Sequence, residues 1–145
     1  MKKHLKIIIP LILCILISTL AIAFKKINYS NINMPKFSPP GFVFMIAWSI
    51  IYTILYYTMY TCLDSKKIYF QYLAILIAHT AWNILFFSLG YFLVALILLF
   101  IIYFLSFVFA YFVSQIKRKL FYFNLPYLIW LMVAIYLNFG VVLLN

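Results

Sequence analysis

The stretch Tyr91-Phe92-Leu93-Val94-Ala95-Leu96-Ile97-Leu98-Leu99-Phe100-Ile101-Ile102-Tyr103-Phe104-Leu105-Ser106-Phe107-Val108-Phe109-Ala110-Tyr111-Phe112-Val113-Ser114-Gln115-Ile116 decides the fold. It carries no charge from end to end, and about 20 apolar residues suffice for a helix to cross the hydrocarbon core of a bilayer. Its apolar residues run continuously and do not alternate, which is the pattern of a membrane helix and not of a barrel strand. Four further stretches share this character, at roughly residues 5–24, 42–63, 68–89 and 120–144. A helix satisfies its own backbone hydrogen bonds in lipid. The sequence therefore predicts an all-α integral membrane protein, with residues 1–145 as one five-helix transmembrane bundle and a single long connection at 25–41.

Composition agrees. Hydrophobic residues make up 70% of the chain and charged residues 8%, against about half and a quarter in soluble domains. A soluble globular fold and a disordered chain are both excluded. Asp64 is the one acidic residue. Paired carboxylates for acid/base work and carboxylate metal cages are thus unavailable. The net charge of +10 comes in short clusters between apolar runs, which suits membrane topology and not a nucleic-acid face. Lys2, Lys3, Lys6, Lys66, Lys67, Lys117, Arg118 and Lys119 fall on one side of the membrane. Lys25, Lys26 and Lys36 fall on the other. The positive-inside rule then places the N-terminus in the cytoplasm, and the short length of the chain with its Lys-rich start suggests a bacterial inner membrane. Lys2, Lys3 and Lys6 before an apolar run ending Ala21-Ile22-Ala23 also fit a signal peptide, although the run is long and Lys25-Lys26 close it like a stop-transfer flank. Cys14 and Cys62 lack metal-ligand spacing and read as small buried apolar residues.

The long connection ends Met34-Pro35-Lys36-Phe37-Ser38-Pro39-Pro40-Gly41-Phe42. Ser38 is a candidate cap for the second helix, and the proline pair stiffens the approach. A lid over the bundle and a plain linker both fit this spacing. Polar and aromatic residues recur at helical spacing inside three spans. They are Trp48, Tyr52, Leu55 and Met59 in the second, and His79, Trp82, Asn83 and Phe86 in the third. The fifth has Tyr127, Trp130, Ala134 and Asn138. If these faces point inward, they line an aromatic cavity with a few polar handles, suited to a flat apolar ligand. The alternative is ordinary core, with the asparagines tying helices together.

Three segments carry a resemblance. Pro35-Lys36-Phe37-Ser38-Pro39-Pro40-Gly41-Phe42-Val43-Phe44 followed by Trp48-Ser49-Ile50-Ile51-Tyr52 resembles the first loop and second helix of the TspO/MBR family, the translocator or tryptophan-rich sensory proteins. Trp82-Asn83-Ile84-Leu85-Phe86-Phe87 is similar to that family's third helix. Pro126-Tyr127-Leu128-Ile129-Trp130 with Ala134-Ile135-Tyr136-Leu137-Asn138 is similar to its fifth. The resemblance implies a lid loop, here Lys36, Phe37, Pro39 and Pro40, over a pocket that binds tetrapyrroles such as protoporphyrin IX or haem, and a homodimer. It puts ligand-lining residues at Trp48, His79, Trp82, Phe86, Trp130 and Ala134, to which the helical faces add Tyr52 and Asn138. It also brings light-dependent porphyrin breakdown, with Trp48 and Trp130 as candidates, as an alternative activity.

The chain departs from the family pattern in places. His79 stands where Asn is usual, Met45-Ile46 where Gly-Pro is usual, and an apolar residue near Ala95 where an acid is common. The link between the third and fourth helices is shorter than usual. The end of the fifth helix, Asn138-Phe139-Gly140-Val141-Val142-Leu143, lacks the Tyr and basic residue of a sterol-recognition motif. His79 is a candidate to bond a porphyrin propionate, to ligate haem iron, or to tie two helices. No nucleophile–base pair, metal cluster or phosphate loop is present, so hydrolysis and phosphoryl transfer are excluded. The expected protein is a tetrapyrrole receptor or sensor in the lipid bilayer. It needs no metal and no cofactor, and binds no nucleic acid. A small-molecule transporter is the further alternative, weakened by the lack of buried carboxylates.

Overall fold

The computed structural model describes residues 2–24 and 31–145. Lys25 and Lys26, read above as a charged flank, lie outside the described residues, as does the first part of the long connection. Five helices are long and apolar enough to cross a membrane. Helix α1 is Lys2–Ala23, α2 Gly41–Cys62, α3 Lys66–Asn83, α4 Phe92–Ile116 and α5 Lys119–Leu144. A π-helical segment, Ile84–Leu89, extends α3 without a break. Each helix packs mainly on two neighbours, and α2 also approaches α3 and α4, so the bundle closes as a ring in the order α1, α2, α5, α4, α3.

Local chemistry sets the ends. Gly90 takes a left-handed conformation (φ 71°) that a side chain would resist, and Tyr91 N–H reaches back to Leu85 O (2.9 Å) to close the π segment. The Ser65 hydroxyl accepts from Ile68 N–H (3.5 Å) at the start of α3. Ser38, expected to cap α2, does not: its hydroxyl donates to Pro35 O (2.8 Å), and Pro40 stands at the helix start without a side-chain cap. The hydroxyl is spent on the tight turn 35–38, two residues too early to reach the first N–H groups of α2.

Pro10 lies inside α1, where its missing N–H leaves Lys6 O without the usual partner. Tyr69 Oη of α3 donates to that carbonyl (3.2 Å), and Tyr72 Oη donates to the next, Ile7 O (2.9 Å). A proline that would weaken α1 alone thereby docks it against α3. Ser88 Oγ donates to Ala21 O (2.6 Å) at the other end of the same seam.

The core runs down the ring, with Leu55 and Met59 of α2, Ile75 of α3, Leu99 and Ile102 of α4, and Tyr127 and Leu131 of α5 fully buried. The opposite faces are apolar and exposed, as in Leu93, Ile97, Phe100 and Phe104 of α4, a surface that only acyl chains can cover. The basic residues at the start of α1 and in the α2–α3 and α4–α5 turns share one end of the bundle. There Lys3 Nζ pairs with Asp64 (3.2 Å), both exposed, and Lys67 Nζ sits 3.5 Å above the Phe112 ring. The other end holds the loop 31–40, the Gly90 turn and the end of α5.

Candidate functional site

Helices α3 and α5 face each other across the ring. Among the described residues, no Cα of α3 comes within 8 Å of a Cα of α5. Long side chains span the distance. Near the loop end, Trp82 Nε1–H donates to Asn138 Oδ1 (3.2 Å), and Asn138 Nδ2–H donates to Phe92 O of α4 (3.0 Å). Deeper in the bundle, His79 Nε2 and Tyr127 Oη are 2.8 Å apart, and Tyr127 Oη and Ser106 Oγ are 2.7 Å apart. His79, Tyr127 and Ser106 are all fully buried.

Helix α2 closes the third side. The Trp48 ring stands perpendicular to the His79 imidazole (centroids 5.1 Å), lies 6.3 Å from Trp82, and is flanked by Tyr52 at 5.8 Å. One turn toward the loop, Phe44 meets Trp130 edge-on (5.5 Å). Trp48 thus joins α2 to the aromatic face of α3, Phe44 joins α2 to Trp130 of α5, and Trp48 and Trp130 are each half-buried. Two nitrogens there stand out. Among the described residues, His79 Nδ1 and Trp130 Nε1 are buried with no hydrogen-bond partner, a condition that costs free energy in an apolar interior.

The remaining residues singled out in the sequence fall in different places. Ala134 is buried on α5, one turn beyond Trp130. Phe86 stacks on Trp82 (5.6 Å) and meets Phe92 edge-on (5.2 Å), so it faces the start of α4. Asn138 spends both ends of its amide on tying α3, α4 and α5. Asn83 turns away from the interior, with its Nδ2 donating to Ser18 Oγ (3.2 Å) and His79 O (3.0 Å). In the loop, Lys36 and Phe37 are exposed at a turn, Pro39 is half-buried and Pro40 exposed.

Other residues hold the loop down. Pro35 is buried against Gly140 of α5, where an added Cβ would meet the proline ring at 2.7 Å. Asn33 and Asn145 pair reciprocally. Asn33 N–H donates to Asn145 Oδ1 (2.9 Å), and Asn145 Nδ2–H donates to Asn33 O (3.0 Å). The sequence reading passed over Phe44, Ser106, Asn33 and the Pro35–Gly140 contact. Phe44 sits four residues before Trp48 on the same helical face, and Ser106 is a hydroxyl in mid-span. Both signals were available. The loop contacts had none, because they join residues more than 100 positions apart.

The best-formed surface clefts lie elsewhere. One of about 520 Å³ is lined by Phe100, Tyr103, Met132, Ile135, Tyr136 and Phe139. A smaller one of about 330 Å³ lies between the Gly90 turn and the end of α5. Both open on the α4–α5 face, away from the indoles. We place the candidate site at the aromatic interior instead, because the buried, unpartnered nitrogens are there.

Comparison with known proteins identifies the family. The sequence model of the TspO/MBR family matches residues 7–144, reaching into all five helices. The tryptophan-rich protein TspO of Archaeoglobus fulgidus is 32% identical over 130 residues, spanning 81% of this chain and 79% of that protein. Five apolar helices in a closed ring and a family match over nearly the whole length lead to one assignment: this chain is an integral, multi-pass membrane protein and belongs to the TspO/MBR family.

Proposed function

We propose that the chain is a membrane receptor or sensor that takes a tetrapyrrole, such as protoporphyrin IX or haem, or a similarly flat and bulky apolar ligand, between α2, α3 and α5. One observation carries this reading. Helices α3 and α5 stand apart, side chains such as Trp82 and His79 cross between them, and two buried ring nitrogens, His79 Nδ1 and Trp130 Nε1, have no hydrogen-bond partner among the described residues. Indoles favour flat ligands because stacked rings bury large apolar areas with specific geometry. The Trp48 contacts with His79 and Trp82 are ring contacts, so a ligand sliding between them replaces them with contacts of the same kind. The loop 31–40, fastened to α5 through Pro35 and Asn33, is the lid of this site. Lys36 on its outer turn supplies a cation for acidic groups arriving at the mouth. The basic end of the bundle is the cytoplasmic one, which puts the lid on the far side of what we take to be a bacterial inner membrane. A homodimer, as the family resemblance implies, is part of this reading.

The test is a titration of protoporphyrin IX in the dark, followed by tryptophan fluorescence, on the solubilised chain and on Trp48→Phe and Trp130→Phe. Saturable quenching that weakens in both variants is the expected result. A response no different from empty micelles would remove the proposal. Illumination of the bound complex then addresses the light-driven alternative: loss of the porphyrin spectrum that depends on Trp48 and Trp130 would make the protein an enzyme.

A further inference from the structure

We infer that His79 presents its Nδ1–H as a hydrogen-bond donor to an acceptor on the bound ligand, with Tyr127 and Ser106 as the positioning residues that fix the imidazole in this form. The inference deepens the proposed binding role and rests on it for the ligand, though not for the state of the imidazole. A neutral imidazole donates at one nitrogen and accepts at the other. Nε2 is engaged by Tyr127 Oη at 2.8 Å, and Nδ1 is buried without a partner. Which nitrogen holds the proton follows from where the hydroxyl hydrogens go. Ser106 Oγ has Tyr127 Oη (2.7 Å) as its one hydrogen-bond partner among the described residues. If Ser106 donates to Tyr127 and Tyr127 donates to Nε2, both hydroxyl hydrogens are used. The ring proton is then on Nδ1, and one buried donor is left unmade. The reverse direction strands two groups, the Ser106 hydroxyl hydrogen and the Nδ1 lone pair. In an apolar interior each unmade group is penalised, so the first direction wins.

Two consequences follow for the ligand. It must carry an acceptor, a carboxylate or carbonyl, that reaches Nδ1–H. Trp130 Nε1 is a second buried, unpartnered donor one turn beyond Tyr127, and suits the same acceptor-bearing class. A haem iron, in contrast, finds no free lone pair on His79, because Nδ1 holds the proton and Nε2 accepts from Tyr127. The protein thus selects the acidic periphery of a porphyrin and not its metal.

The chain has 2 histidines, so ¹⁵N-histidine labelling of the reconstituted full chain with His4→Gln leaves one imidazole to observe. The expected spectrum has a pyrrole-type Nδ1 bearing the proton and a pyridine-type Nε2, with this preference lost in Tyr127→Phe. A proton on Nε2 in the parent chain would overturn the assignment. Binding is read with protoporphyrin IX, which has carboxylates, against octaethylporphyrin, which has none. The acid should bind roughly tenfold more tightly, the range expected for one charge-assisted hydrogen bond. That ratio should collapse in His79→Leu and persist in His79→Asn, whose amide keeps a donor. An unchanged ratio in His79→Leu would overturn the ligand contact. If neither porphyrin saturates the parent chain, the tetrapyrrole reading and the ligand contact both fall, and the nitrogen spectrum alone decides the state of His79.

Discussion

Helix α3 meets its neighbours in two different ways. Toward α1 the backbones come close. Tyr69 and Tyr72 meet the α1 carbonyls beside Pro10 at the basic end, and toward the loop end the ties are small: Asn83 to Ser18, Thr80 Oγ1–H to Cys14 Sγ (3.2 Å), and Ser88 to the Ala21 carbonyl. Toward α5 the backbones stay apart, and the ties are large: Trp82 to Asn138 and His79 to Tyr127. Lipid tails are as apolar as leucine side chains, so membrane helices associate through packing and interhelical hydrogen bonds, and small residues permit the closest approach. The loop end of the α1 seam follows that rule. The α5 side departs from it, because there large side chains span the gap between backbones that stay apart. The proposed ligand would enter on this side and not at the α1 seam.

The contrast is broken most severely at Asn138. Asn138→Leu strands the Trp82 indole N–H and takes the amide away from Phe92 O. Thermal unfolding in detergent should show a loss of about 2 kcal/mol. A loss no larger than that of a seam variant would mean that the two sides of α3 do not differ. Next comes Trp48→Phe, which keeps the fold but trims the ring lying against both His79 and Trp82. Protoporphyrin affinity should drop about tenfold, equivalent to about 1.4 kcal/mol, as measured by fluorescence titration.

Gly140→Ala sets a methyl group against the Pro35 ring. The loop must move, at about 1 kcal/mol, the lower range for overpacking. Hydrogen exchange should quicken over residues 31–40 and leave α3 unchanged. Ser18→Ala is the smallest change. It removes one neutral bond from the close seam, about 0.6 kcal/mol by the average for membrane helices, and porphyrin binding should stay at the parent value. A shift in binding from Ser18→Ala would merge the two sides of α3 into one functional unit.

Much of this was legible in the sequence. The uncharged run 91–116 forces a membrane helix, and the alternation of five spans puts Lys66-Lys67 and Lys117-Arg118-Lys119 at one end. The three-and-four spacing grouped His79, Trp82, Asn83 and Phe86 on one face of α3; Trp82 and His79 both meet Trp48, but Asn83 faces α1, where Ser18 takes its amide. Spacing did not separate inward groups that are free from those already committed. Asn138 reads the same whether it ties helices or awaits a ligand, and only its bonds to Trp82 and Phe92 distinguish the two. Nor did periodicity foresee the π-helical segment at Ile84–Leu89, which changes the number of residues per turn and lets both Phe86 and Phe87 approach Trp82.

The sequence by itself determined the solvent, the element type and the number of crossings. A backbone in hydrocarbon has no partner but itself, and 70% apolar composition leaves no other environment. Tertiary structure alone decided which helices touch and which are held apart. Partners such as Trp82 and Asn138, 56 residues apart, or Asn33 and Asn145, 112 apart, are matched by the geometry of the ring and by no local preference. The site belongs to that second category, because an unpartnered nitrogen is a property of what surrounds it and not of the residue that carries it.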